Sequence, residues 1–178
     1  MSTSDAVLRS ARVEDAEELA TLARTTFIET FVDGFGIPYP AEDLKRFLDR
    51  TLDVATTRDK LLDTTEAWWV VERNGELVAF ANTGPTTLPH PEARSSHAEL
   101  RRLYVARNAQ GLGLGTRLLE TALEWMEAHT DGPLWIGVWS GNLKAQKLYE
   151  RYGFHKCGEY KYPVGSWYDD EFILRRPK

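Results

Sequence analysis

Apolar and polar positions along the chain change period several times, and those changes divide it into strands and helices. Val7-Leu8-Arg9-Ser10-Ala11-Arg12 reads as a short opening strand. Glu14 and Asp15 then put acids into the first turn of a helix, where they complement its dipole. Leu19, Leu22, Ala23, Phe27 and Phe31 recur at helical spacing and predict one buried face. Residues 33–40 hold Gly34, Gly36, Pro38 and Pro40, which break the helix. A second helical region runs from about Ala41 into the low sixties. It is one bent helix or two, because Thr51 to Thr57 shows no clear period.

Trp68 to Glu72 and Glu76 to Ala81 are strand-like runs joined by Asn74-Gly75. That dipeptide is a strong hairpin signal, since both central positions of a type I′ turn need positive φ. Thr83 to Ser96 is proline-rich and predicts a loop, and His97 to Val105 predicts another strand. Leu118, Leu119, Ala122 and Met126 form the inner face of a helix whose outer face carries Glu120, Glu124 and Glu127. Asp131-Gly132-Pro133 ends it, and Leu134 to Trp139 reads as a buried strand. Asn142 to Tyr152 predicts a helix stopped by Gly153, and Phe154 to Tyr162 and Trp167 to Leu174 predict two closing strands. The order β-α-α-β-β-β-α-β-α-β-β predicts a mixed α/β (α+β) fold with a largely antiparallel sheet.

The chain has 178 residues, 42% of them hydrophobic, which predicts a single domain over residues 1–178. No apolar run approaches the ~20 residues a membrane span needs. Met1-Ser2-Thr3-Ser4-Asp5 shows no secretory signal, and one cysteine, Cys157, suits a reducing compartment. A cytoplasmic protein with no membrane partner is expected. The four histidines show no metal spacing, so no metal is expected. The net charge of −5 disfavours general nucleic-acid binding. The charge is uneven, −8 over residues 1–99 and +3 over residues 100–178. Arg101, Arg102, Arg107 and Arg117 form a basic island around a glycine-rich turn, which suits a polyphosphate ligand. The acidic first half suits a cationic second substrate.

The turn reads Gln110-Gly111-Leu112-Gly113-Leu114-Gly115-Thr116. Bare amides at a helix start, with the dipole behind them, bind anions. A P-loop would need a following Gly-Lys-Ser/Thr, which is absent. A dinucleotide fingerprint would need G-x-G-x-x-G and an acid at the end of the next strand; the spacing is G-x-G-x-G and that strand ends without a carboxylate. A plain strand-to-helix turn is the remaining alternative. The pattern Gln110-x-x-Gly113-x-Gly115 resembles the pyrophosphate loop of the Gcn5-related N-acetyltransferases. About 30 residues on, Asn142-x-x-Ala145-x-x-x-Tyr149-x-x-x-Gly153-Phe154 resembles a second segment of that family. Phe27 to Phe31, Glu42-Asp43-Leu44, Gly137-Val138-Trp139, and Gly165 with Asp169-Asp170 look like the bacterial spermidine/spermine acetyltransferases.

This resemblance implies the acetyltransferase fold, a sheet of about seven strands with flanking helices, and acetyl-CoA as co-substrate. It implies a bulge or splay between the strands ending at Val105 and Trp139. The pantetheine arm would pair there with the main chain of Leu103, Tyr104 and Val105. The diphosphate would meet the amides of Gln110, Gly111, Leu112, Gly113, Leu114, Gly115 and Thr116. Tyr149 would protonate or hydrogen-bond the departing thiolate, or simply pack beneath the cofactor. Asn142 would hold the pantetheine or cap its helix. Glu99 is the candidate base, with His97 a weaker alternative and a plain salt-bridged acid the bland reading. Glu29 and Asp33, four apart on one helix face, would join Glu42, Asp169, Asp170 and Glu99 in binding a cationic acceptor. Trp139, Trp167 and Tyr168 would add cation–π contacts. A polyamine is the acceptor this favours; a peptide or protein N-terminus, an amino acid or an aminoglycoside remains open, as do a non-catalytic acetyl-CoA-binding module and a homodimer.

Overall fold

A computed structural model describes residues 6–178; the reading of Met1–Asp5 as lacking a signal lies outside the described residues. Seven strands form one sheet in the order β1-β2-β3-β4-β5-β7-β6. They are β1 (Ala6–Ser10), β2 (Ala67–Arg73), β3 (Glu76–Pro85), β4 (Ala98–Val105), β5 (Leu134–Trp139), β6 (His155–Val164) and β7 (Trp167–Arg176). Every neighbouring pair is antiparallel except β4 with β5. The helices are α1 (Ala16–Phe27), α2 (Ala41–Thr51), α3 (Val54–Leu62), α4 (Leu114–His129) and α5 (Leu143–Arg151). The expected fold class and element order are both present.

The differences are local. The second helical region is two helices, because Asp53 accepts from the Thr56 amide at 3.0 Å and starts α3 afresh. β3 runs on to Pro85 into the expected loop; Gly84 and Pro85 pair with Glu99 and Ala98, and the proline closes the strand. After α1 the chain widens into a π-helical turn over Ile28–Gly34, which carries Phe31 and Phe35 toward β4 and β5. Asn74 and Gly75 have φ of 55° and 79°, as the hairpin reading requires.

The sheet separates two cores. On one face α4 and α5 pack Leu118, Leu119, Ala122, Met126 and Phe154 against Ala98, Leu100, Ile136 and Val138. On the other, α1 to α3 pack Leu19, Phe27, Phe47 and Leu52 against Val70 and Phe80. The site lies where this layering opens. β4 and β5 pair only at Glu99–Trp135 and Leu100–Ile136, and beyond those pairs they diverge. β4 also bulges there: Leu100 pairs with Thr83 and Arg102 with Asn82, leaving Arg101 without a partner on β3. Both the bulge and the splay expected between these strands are present.

Candidate active site

On the α4 side of the splay lies the glycine turn. Gly111 and Gly113 have φ of 80° and 73°, a region that a side chain with a Cβ enters only under strain. Gly113 is the N-cap of α4, and the first amide of this helix to reach a carbonyl is that of Arg117, on Gly113 O at 3.1 Å. The amides of residues 111–116 have no backbone partner among the described residues. A Cβ built on Gly113 meets nothing within 4 Å, so the turn faces open space. Gln110 folds back instead, donating from Nε2 to the last carbonyl of β4 at 3.2 Å. The turn and the splay together fit a diphosphate followed by an extended arm, as the resemblance implies for acetyl-CoA. Leu103 and Val105 turn toward the α4 core; the Tyr104 side chain faces the opposite cavity.

The basic island does not gather at this turn. Arg101 bonds Glu66 at 2.5 Å and the Pro85 carbonyl; Arg107 is held by Glu29 and Asp33. Thus Glu29 and Asp33 do share one face, but its occupant is Arg107: the Arg107 amide donates to Glu29 at 2.9 Å and its guanidinium to Asp33 at 3.4 Å. Neither acid lines the cavity that holds Glu99.

That cavity, about 350 Å³, opens on the α1–α3 side of the splay. One wall is helical: Asn142, Ala145 and Tyr149 lie on one face of α5. Asn142 Oδ1 accepts from the Ala145 amide at 3.1 Å, so it caps this helix while bordering the cavity. The Tyr149 hydroxyl has no hydrogen-bond partner among the described residues, and burial pushes its pKa up, so it stays protonated.

Glu99 is 7% exposed. Burial raises its pKa, against the opposing effect of the Thr87 amide, which donates to Oε2 at 2.9 Å. It is therefore neither a surface acid nor one side of an ion pair. His97 stands elsewhere: it accepts from Trp135 Nε1 at 3.1 Å and borders a separate cleft with His129 and Gly132.

β7 supplies carboxylates the sequence reading treated differently. Neighbours in a strand face opposite ways. Asp169 turns into the cavity, where Tyr39 donates to it at 2.6 Å and Trp167 Nε1 at 2.9 Å. Asp170 turns outward and pairs with Lys161. Glu42 and Tyr168 are exposed and lie outside the cavity, whereas Trp139 lines it. Glu171, on the same face as Asp169, was not among the expected residues. Burial, then the nearby Asp169, push its pKa up to about 8, while a bond from Tyr160 opposes them. The cue was alternation: 169, 171 and 173 share one face, so an acid at 171 interrupts an inward-facing row. Gly137 of β5 completes the arrangement, since a Cβ there would come within 2.7 Å of the Tyr160 hydroxyl.

Glu171 has a consequence for stability. Its native pKa lies above the unfolded value, so the native state holds the extra proton. Its contribution is complete below about pH 4.5 and is lost as pH rises toward 8. Over that window stability should fall by at most about 1.4 kcal/mol per pH unit on this account. Glu171→Gln should flatten the decline in urea melts taken between pH 5 and 8; an unchanged slope would remove Glu171 as its source.

Among the described residues no helix is long and apolar enough to cross a membrane, and no three His, Cys, Asp or Glu side chains group to hold a metal. The chain is similar to an uncharacterized N-acetyltransferase of Lactobacillus delbrueckii subsp. lactis, with 25% identity over 92% of both chains. It is 28% identical to the spermine/spermidine N(1)-acetyltransferase of Bacillus subtilis, over 48% of this chain and 57% of that one. Its fold is like that of the PaiA N-acetyltransferase of Thermoplasma acidophilum, solved in complex with coenzyme A, with a TM-score of 0.74, 18% identity and full coverage of both chains. Residues 24–154 match the acetyltransferase (GNAT) family. The chain belongs to that family and is an N-acetyltransferase.

Proposed function

We propose that this chain moves the acetyl group of acetyl-CoA onto the primary amine of a small acceptor that arrives positively charged. The observation that carries the reading is the buried, unpaired Glu99 carboxylate, bordering the cavity whose far wall holds the free Tyr149 hydroxyl. When bound, acetyl-CoA supplies an activated acyl carbon. The rest falls to the chain. An alkylammonium of pKa ~10.4 costs about 4–5 kcal/mol to deprotonate at pH 7. Glu99, with its pKa raised by burial, is a stronger base than an exposed glutamate and accepts that proton. As the N–C bond forms and the C–S bond breaks, Tyr149 donates a hydrogen bond to the departing sulfur. A thiol has an ordinary pKa of ~8.5, below that of this phenol, so hydrogen bonding is favoured over complete proton transfer. Tyr149→Phe should lower kcat tenfold or more with little change in acetyl-CoA affinity, as expected of a contact made in the transition state. An equal kcat would remove Tyr149 from the chemistry.

The polyamine reading is supported by the sequence resemblance and by the half-length similarity to the Bacillus subtilis enzyme. Glu99, Asp169 and Glu171 would face the ammonium groups. A second reading, an amine that also carries a carboxylate, is favoured by Lys60 and Arg102 in the same cavity. A thiol-release assay across spermidine, spermine, amino acids and aminoglycosides tests the activity. Release with at least one amine is expected. Silence with all of them, while acetyl-CoA binds, would leave a non-catalytic binding module.

A further inference from the structure

The cavity carries charge of both signs, and the two signs do not meet. Glu99, Asp169 and Glu171 line it together with Lys60 of α3 and Arg102 of β4. Neither cation makes a hydrogen bond or ion pair among the described residues. The two acids whose fields reach Lys60 are committed elsewhere. Glu66 accepts from Arg101, from Trp68 Nε1 at 3.0 Å and from Asn82 at 3.1 Å; Asp53 accepts from the amide and hydroxyl of Thr56. Arg101 is thus balanced by Glu66, and Lys60 and Arg102 are left in excess. Burial, then Arg102, push the Lys60 pKa down to about 8, so it remains mainly charged at neutral pH.

No cation balances the carboxyl of Glu171, whose neighbours are Asp169 and Tyr160. Tyr104 and Tyr162 feel Arg102 and Glu171 at once, with opposite effects, which puts their rings between the two poles. Unpaired charge withdrawn from water is costly, and a partner of opposite sign relieves the cost. The coenzyme does not supply that partner: no residue from 106 to 116, where its diphosphate would rest, lines this cavity, and the acetyl thioester is neutral.

We propose that the acceptor is an amino-carboxylate of amino-acid size, its ammonium toward Glu99 and Glu171 and its carboxylate held by Lys60 and Arg102. The proposal rests on the amine-acetylation reading above and narrows it.

The test is a thiol-release assay on the full chain with matched acceptors. These are α- and ω-amino acids, their methyl esters (same amine, carboxylate charge removed), the aminoalkylphosphonate analogues, and diamines with spermidine. The acids should exceed their esters at least tenfold in kcat/KM, through KM. In Lys60→Met and Arg102→Met the acid-to-ester ratio should fall to near one. Phosphonates outperforming the acids would keep the anion site but overturn the carboxylate. Esters or diamines matching the acids, or variants that slow every acceptor alike, would overturn the site itself and leave the activity standing. If no acceptor releases thiol, the acetyl-transfer reading fails. The anion site is then decided by calorimetry of an amino acid on wild-type protein saturated with CoA: binding lost in Lys60→Met supports it, and binding unchanged there, or undetected in the wild type, overturns it.

Discussion

Replacing Gly113 by valine should weaken acetyl-CoA binding by roughly 10²-fold. At φ of 73° a residue with a Cβ pays about 1–2 kcal/mol, and a β-branched one more. The turn can relieve that strain only by rotating, which re-aims the bare amides of residues 111–116. A hydrogen bond to a charged group contributes about 1.5–3 kcal/mol. Strain and one lost contact together are on the order of 3–4 kcal/mol, hence the hundredfold. No protein atom lies within 4 Å of the added Cβ, so the core should not suffer a clash. Gly113→Asn is the control: asparagine tolerates the left-handed region, and most affinity should survive. Calorimetry that finds valine as good as glycine would show that the diphosphate does not use this turn.

Glu99→Gln should reduce kcat at neutral pH by about 10²–10³-fold, the scale of a lost general base. The amide retains an oxygen for the Thr87 amide, so the site should hold its shape and its acetyl-CoA affinity. The defect should shrink as pH rises toward the acceptor's own pKa of ~10.4, because the amine then enters neutral without help. A pH profile in which the ratio of wild type to variant stays constant would assign Glu99 a structural part only.

The two sides of the site differed in how far they could be read from the sequence, for a physical reason. The cofactor side is local. Gly111 and Gly113 are called for by their own φ angles, and Asn142 caps the helix that starts one residue later, so short patterns carry the information. The acceptor side is assembled from distant segments. Tyr39 meets Asp169 across 130 positions, and Asp43 accepts from Ser166 across 123. Nothing local announces such pairs. Lys60 lies on a short helix, where a lysine reads as a solvent contact, yet it borders the cavity. Arg101 and Arg102 read as one basic island, but the bulge in β4 sends Arg101 to Glu66 and leaves Arg102 in the cavity. Asp169 and Asp170 read as a pair, although strand geometry separates them. Glu29 and Asp33 were rightly placed on one face, but which group would occupy it depended on Arg107, 78 and 74 residues away.

A crystal structure of the chain with acetyl-CoA examines the central claim directly. The account predicts the diphosphate against the amides of residues 111–116, the pantetheine arm lying between β4 and β5, and the thioester opening beside Glu99 and Tyr149. Density for the coenzyme anywhere else on the molecule would contradict it.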